Sequence, residues 1–168
     1  MLMRFDPSSM TYQDGSRNQM TQLALIAEAV KYCQRVKAMG MPAACYSKAL
    51  REPVYFLWER RHGGKSRAKF RSRAAQGLNF GKREIVYDHA IPFRYIEAEL
   101  LDLAEVTPQA VADVLEKKCV VALITTEEDR NLNAAGLSSK MPENWDGLDP
   151  LARYKAVGID LVPGNERC

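Results

Sequence analysis

Apolar residues recur at helical spacing through the first third of the chain and at strand spacing in two short runs further on. Leu23, Ile26, Val30, Cys33 and Val36 stand three or four positions apart, which puts them on one face of a helix. That helix is predicted over residues 17–39, with Gly40 as its stop. Pro42 can sit in the first turn of a second helix through Leu50, and Pro53 can open a third over 54–61. The third carries Tyr55, Phe56 and Trp58, whose weight favours a core role over base stacking. Gly63 and Gly64 end it. Ser66 is then a cap for a basic helix to Gln76, with Gly77 just past its end.

From residue 83 to 89 the pattern changes to that of a strand, with Ile85, Val86 and Tyr87. Pro92 opens a helix that carries Phe93, Ile96, Leu100 and Leu103 on one face. Thr107 followed by Pro108 reads as an N-cap with a first-turn proline, starting a helix to about Lys117. A second apolar strand is predicted over 119–125. It runs into Thr125-Thr126-Glu127-Glu128, a capping box that starts a helix ending at Gly136. Residues 137–150 are irregular, and Asp149 can cap a last short helix over 150–156, stopped by Gly158. The chain divides into an arm over 1–16, a helical region over 17–77 that includes the basic helix, and a region over 78–168 that holds both strands.

Composition changes this picture little. With 168 residues, 46% of them apolar and 27% charged, the chain can bury a core without staples. No run approaches the roughly 20 apolar residues needed to span a bilayer. The first 14 residues are polar and lack the apolar centre of a signal peptide, so a cytoplasmic protein with no membrane partner is expected. Cys33, Cys45, Cys119 and Cys168 form no CxxC pair, which argues against a zinc knuckle and for buried thiols at Cys33 and Cys119.

Charge matters more through its distribution than through its net value of +3. Residues 51–83 hold ten Lys and Arg against two acids, Glu52 and Glu59, and residues 97–128 are acidic. A basic block of this kind suits a polyanion. Arg67, Lys69, Arg71 and Arg73 on the basic segment, with Lys82, Arg83 and Lys140, are the candidate phosphate contacts. His62 falls in a basic turn and reads as solvated or phosphate-contacting.

The candidate chemistry lies at the end of the first strand, in Tyr87-Asp88-His89-Ala90-Ile91-Pro92. A carboxylate stands beside an imidazole, and the chain has only two histidines to serve as a general base near neutral pH. The order strand, Asp-His, strand, capped helix with asparagines resembles the HNH nucleases, whose site is called ββα-metal. The resemblance covers about residues 82–142. It implies a mostly helical α+β fold, N-terminal helices packed on a ββα-metal unit, with a helical insertion between the two strands. It implies a metal-dependent endonuclease acting on DNA, with RNA as an open alternative substrate. His89 would be the general base and Asp88 a metal ligand. The helix ligand would be Asn133, with Asp129 one turn earlier in support and Asn131 as the competing choice. Oxygen ligands suit Mg²⁺ or Mn²⁺. The family's middle Asn, which orients the histidine, has no counterpart in the loop ending Glu116-Lys117-Lys118. A non-catalytic nucleic-acid-binding module is the alternative reading.

Overall fold

The computed structural model describes residues 15–60, 68–78 and 84–164. Helix α1, Gly15–Ala38, ends where predicted, and Gly40 follows in the left-handed region at φ 81°. Ile26, Val30 and Cys33 on its apolar face are fully buried. A 3-10 turn, Ala43–Cys45, leads into α2, Ser47–Pro53. The helices predicted over 42–50 and 54–61 are not separate. α2 runs directly into a π-helical segment, Val54–Glu59. Pro53 cannot donate a backbone hydrogen bond and its ring crowds the preceding turn. The chain relaxes into a wider turn, in which the Arg60 N–H donates to the Tyr55 carbonyl at 3.0 Å. This rotates Trp58 and Glu59 inward, whereas Tyr55 and Phe56 are 38% and 51% exposed. The core role expected for Tyr55 and Phe56 is therefore corrected; Trp58 does lie in the core.

The basic segment is also corrected. Residues 70–72 form strand β1, Phe70–Ser72, followed by a turn. Basic residues at alternate positions are the signature of a strand, not of a helix. The turn is tied by the Ala75 N–H donating to the Ser72 Oγ at 3.1 Å. Strand β2 is Ile85–His89, followed by α3, Phe93–Leu101, and α4, Pro108–Lys118. Thr107 caps α4 as its sequence requires, its Oγ1 accepting from the Ala110 N–H at 3.1 Å. Strand β3, Val121–Thr125, leads directly into α5, Thr126–Ala134. The capping box is complete, the Thr125 Oγ1 accepting from the Glu128 N–H and Glu128 Oε2 from the Thr125 N–H.

The last helix, α6, is short, Ala152–Ala156. Asp149 does not cap it as expected; the N-cap is Leu151, with no side-chain cap bond, and Asp149 Oδ1 instead accepts from the Leu151 N–H at 2.9 Å in the turn before the helix. A strand that the sequence did not suggest, β4, Leu161–Pro163, follows Gly158. The four strands form one mixed sheet in the order β2-β3-β1-β4. β2 and β3 are antiparallel, with Asp88 opposite Ala122 and His89 opposite Val121. β1 runs parallel to β3 and antiparallel to β4. Gly164 touches the backbone at Ala68 so closely that a Cβ there would meet the Ala68 carbonyl oxygen, which requires glycine.

The architecture is a mostly helical α+β fold, with the N-terminal helices packed against a mixed sheet. One core joins α1, α2, α3 and α4 around Ile26, Leu50, Ile96, Leu100 and Leu115. Each of these side chains contributes about 1.5–3 kcal/mol by leaving water. A second core lies between the sheet and the C-terminal helices, around Ala122, Ile124, Leu132 and Tyr154. None of the described helices is long and apolar enough to cross a membrane.

Candidate functional site

Side chains alternate along a strand, so the adjacent Asp88 and His89 of β2 leave the sheet on opposite faces. Val86 and Asp88 turn toward α6, and Tyr87 and His89 turn toward the π-helical segment. Each meets a different partner set. Both still line a single cleft of about 910 Å³ where the strand ends.

His89 is held by Glu59. Its Nε2 lies 2.9 Å from Glu59 Oε1. The Tyr87 hydroxyl donates to the other carboxylate oxygen at 3.0 Å, and the Cys119 thiol donates to Oε1 at 3.7 Å. The Glu59 side chain is only 4% exposed and that of His89 17%. Burial by itself would push the Glu59 carboxyl up. The hydrogen bonds from His89, Tyr87 and Cys119, with the charge on His89, outweigh it and hold the group below its ordinary range. The same contacts act oppositely on the donors. Burial first, and then Glu59, pushes the Cys119 thiol well up, and they raise the Tyr87 hydroxyl too. Glu59, His89 and Cys119 bring one potential ligand atom each to within 4.8 Å of one another. This is a potential metal-binding cluster near the junction of strand and helix.

Asp88 is held from the opposite face. Both the Arg153 guanidinium and the Tyr154 hydroxyl donate to its Oδ2, the latter at 2.7 Å. Arg153 is 1% exposed and also donates to the carbonyls of Ala90, His89, Leu137 and Ser138. One buried cation thus ties the end of β2 to the irregular segment after α5. Burial raises the Asp88 carboxyl; Arg153, Tyr154 and His89 oppose the rise, and the nearby Asp129 adds to it. Asp129 reaches this neighbourhood because α5 starts directly from β3, the neighbour of β2.

Asn133 is exposed and donates to Asp129 Oδ2 at 3.3 Å, one turn back on α5. Asn131 is also exposed, with Leu132 between them in the core. The structure thus ties Asn133 to Asp129, holds Asp88 through Arg153 and Tyr154, and places His89 in the cluster on the other face. Of the candidate phosphate contacts, Arg67, Lys82 and Arg83 lie outside the described residues, as do His62 and Cys168. Lys69 is exposed, with its Nζ 5.8 Å from the Phe70 ring centre. Arg71 donates to the Leu78 carbonyl at 3.1 Å. Arg73 is paired with Asp160 at 2.7 Å. Lys140 is exposed beside Ser138 and Ser139, which line the cleft.

The cleft carries cations of its own. Lys48 and Arg51 come from α2 and Arg94 from α3, beside the exposed rings of Tyr55 and Phe56. Arg51 lies over the Phe93 ring at 5.8 Å and Lys48 pairs loosely with Glu52 at 3.6 Å. Glu59 and Arg153 were missed in the sequence. Glu59 had one signal, an acid closing an apolar run, Tyr55-Phe56-Leu57-Trp58, where a solvated acid is unexpected. Arg153 had none. In comparisons with family profiles, curated proteins and solved structures, the chain finds no match.

Proposed function

We propose that the protein is a metal-dependent endonuclease of the HNH type, hydrolysing phosphodiester bonds in DNA at the cleft where β2 ends. The observation that carries this reading is His89, seated at the cleft beside Asp88 and held through Nε2 by the buried Glu59 carboxylate. A carboxylate on one ring nitrogen keeps the proton there and leaves the lone pair on the other. Nδ1 then takes the proton from an attacking water. Glu59 supplies the orienting contact for which the loop before β3 has no Asn. The cations Lys48, Arg51 and Arg94 seat the phosphates along the cleft, and Tyr55 and Phe56 offer rings to bases beyond them.

The residues present fit a hard divalent ion. Asp88 and Asp129 offer carboxylate oxygens, the donor class such an ion takes. Among the described residues, Arg153 and Tyr154 both bond Asp88 at Oδ2, and Oδ1 would face the ion. Asn133, tied to Asp129, offers its amide oxygen. Asp88 with Asp129 or Asn133 would hold Mg²⁺ or Mn²⁺, which would polarise the scissile phosphate and stabilise the leaving 3′ oxygen. Arg153 and Tyr154 fix the orientation of Asp88.

One observation favours the alternative of a non-catalytic nucleic-acid-binding module: Asp88 already has two protein partners. A plasmid-nicking assay with Mg²⁺, Mn²⁺ and EDTA separates the readings. Nicking with either ion and none with EDTA is expected. DNA binding without nicking under all three conditions would leave the binding module instead.

A further inference from the structure

We infer that Glu59, His89 and Cys119 form a second cation site, selective for a zinc-class ion, whose occupancy switches His89 off. The donor set differs from that at Asp88. It combines one carboxylate oxygen, one imidazole nitrogen and one sulfur. Thiolate and imidazole select zinc-like ions, whereas Mg²⁺ and Ca²⁺ take oxygen.

The ligand atoms are spaced on the scale of a tetrahedral site. Ligand atoms at zinc distances lie about 3.3–3.8 Å from one another. Here Glu59 Oε1 is 2.9 Å from His89 Nε2 and 3.7 Å from Cys119 Sγ. The third edge, from His89 to Cys119, is within 4.8 Å, so an ion draws the three ligand atoms into the tetrahedral face by side-chain adjustment. The Tyr87 hydroxyl, on the second oxygen of Glu59 at 3.0 Å, acts as the outer hydrogen bond that orients a ligating carboxylate. Three protein ligands leave the fourth position open. A small pocket of about 190 Å³ reaches Glu59 and Cys119 from the side of Lys69 and Glu116. An ion and its water can approach there without crossing the main cleft.

Binding the ion moves protons at both Cys119 and His89. Without the ion, the Cys119 S–H and the His89 Nε2–H both point at Glu59 Oε1. When the ion binds, the thiol loses its proton to solvent and sulfur binds as thiolate. Nε2 binds through its lone pair, so the ring proton moves to Nδ1. An imidazole protonated at Nδ1 has no lone pair there for an attacking water. Switching off nicking rests on the function proposed above; the cation site does not.

The test uses the full chain with Cys45→Ser and Cys168→Ser, freed of metal and titrated with Co²⁺. A thiolate-to-cobalt charge-transfer band at one equivalent is expected, lost on adding Zn²⁺ and absent in Cys119→Ser. No band in the folded protein, or a band that persists in Cys119→Ser, overturns the site. Should Cys119→Ser fail to fold, X-ray absorption of the zinc-loaded parent decides: one sulfur neighbour supports the site and none overturns it. In the nicking assay with excess Mg²⁺, Zn²⁺ should inhibit, and the zinc concentration for half inhibition should rise at least tenfold in Cys119→Ser, each protein normalised to its own Mg²⁺ rate. Equal inhibition of both overturns the switch. A cobalt band with no nicking under Mg²⁺ or Mn²⁺ would sink the endonuclease reading and leave the site standing; nicking without the band would do the reverse.

Discussion

Two buried polar pairs grip the end of β2 from opposite sides, Glu59 hydrogen-bonded to His89 and Arg153 ion-paired with Asp88. At this scale removal is asymmetric. Taking away one partner of a buried pair leaves the other charge without compensation. Arg153→Ala strands Asp88 and also frees four backbone carbonyls. It is expected to cost about 3–5 kcal/mol, measured as a shift in the urea midpoint, whereas Asp88→Asn should cost less because Arg153 keeps its carbonyl partners. Glu59 makes a prediction with pH. Its folded carboxyl titrates below the ordinary value of 4.5. Its contribution to stability is therefore complete above about 4.5 and is lost as pH falls through the lower, folded value. Asp88, raised rather than lowered, contributes with the opposite sign. It is common to the parent and to Glu59→Gln, so comparing their acid limbs isolates Glu59. The parent should lose stability more steeply than Glu59→Gln as pH falls below 4.5. Parallel acid limbs would contradict this.

Elements with local signals were legible from their residues, and those fixed by distant partners were not. Thr107 and Pro108 opened α4, and Thr125 with Glu128 opened α5, because a cap is a contract between residues three apart. Thr125→Ala should cost about 1 kcal/mol in thermal or urea unfolding, and a change near zero would mean that tertiary contacts alone hold α5. The alternation of Arg71 and Arg73 around Ser72 has the period of a strand, but over three residues it is too short to set aside a basic helix. Its strand identity comes from β3 and β4, some fifty and ninety positions away. The π-helical turn after Pro53 and the inward Glu59 depended on a partner thirty positions away, which no local pattern encodes. His89 and Asp88 were legible as a pair; their departure to opposite faces was implicit in the strand period. Arg153 in the core ran against the rule that arginine stays in water.

At the scale of the molecule, basic residues of α2 and α3 flank the cleft. Reversing Lys48, Arg51 and Arg94 to Glu should weaken DNA binding of any sequence and flatten the dependence of log K on log salt. Each lost duplex contact removes about 0.9 from the slope. Arg73→Glu should do less, since Arg73 already serves Asp160. Equal effects in filter binding at several salt concentrations would place the phosphate path along β1 instead of the cleft.

His89, held by Glu59, is the proposed base of a hydrolytic site. The most direct test is the nicking rate of His89→Ala in Mg²⁺ or Mn²⁺, read beside its DNA affinity and its circular dichroism. Loss of a general base predicts a rate lower by about 10²–10⁴-fold with affinity and fold retained. Nicking within a few-fold of the parent by the purified variant would contradict the account.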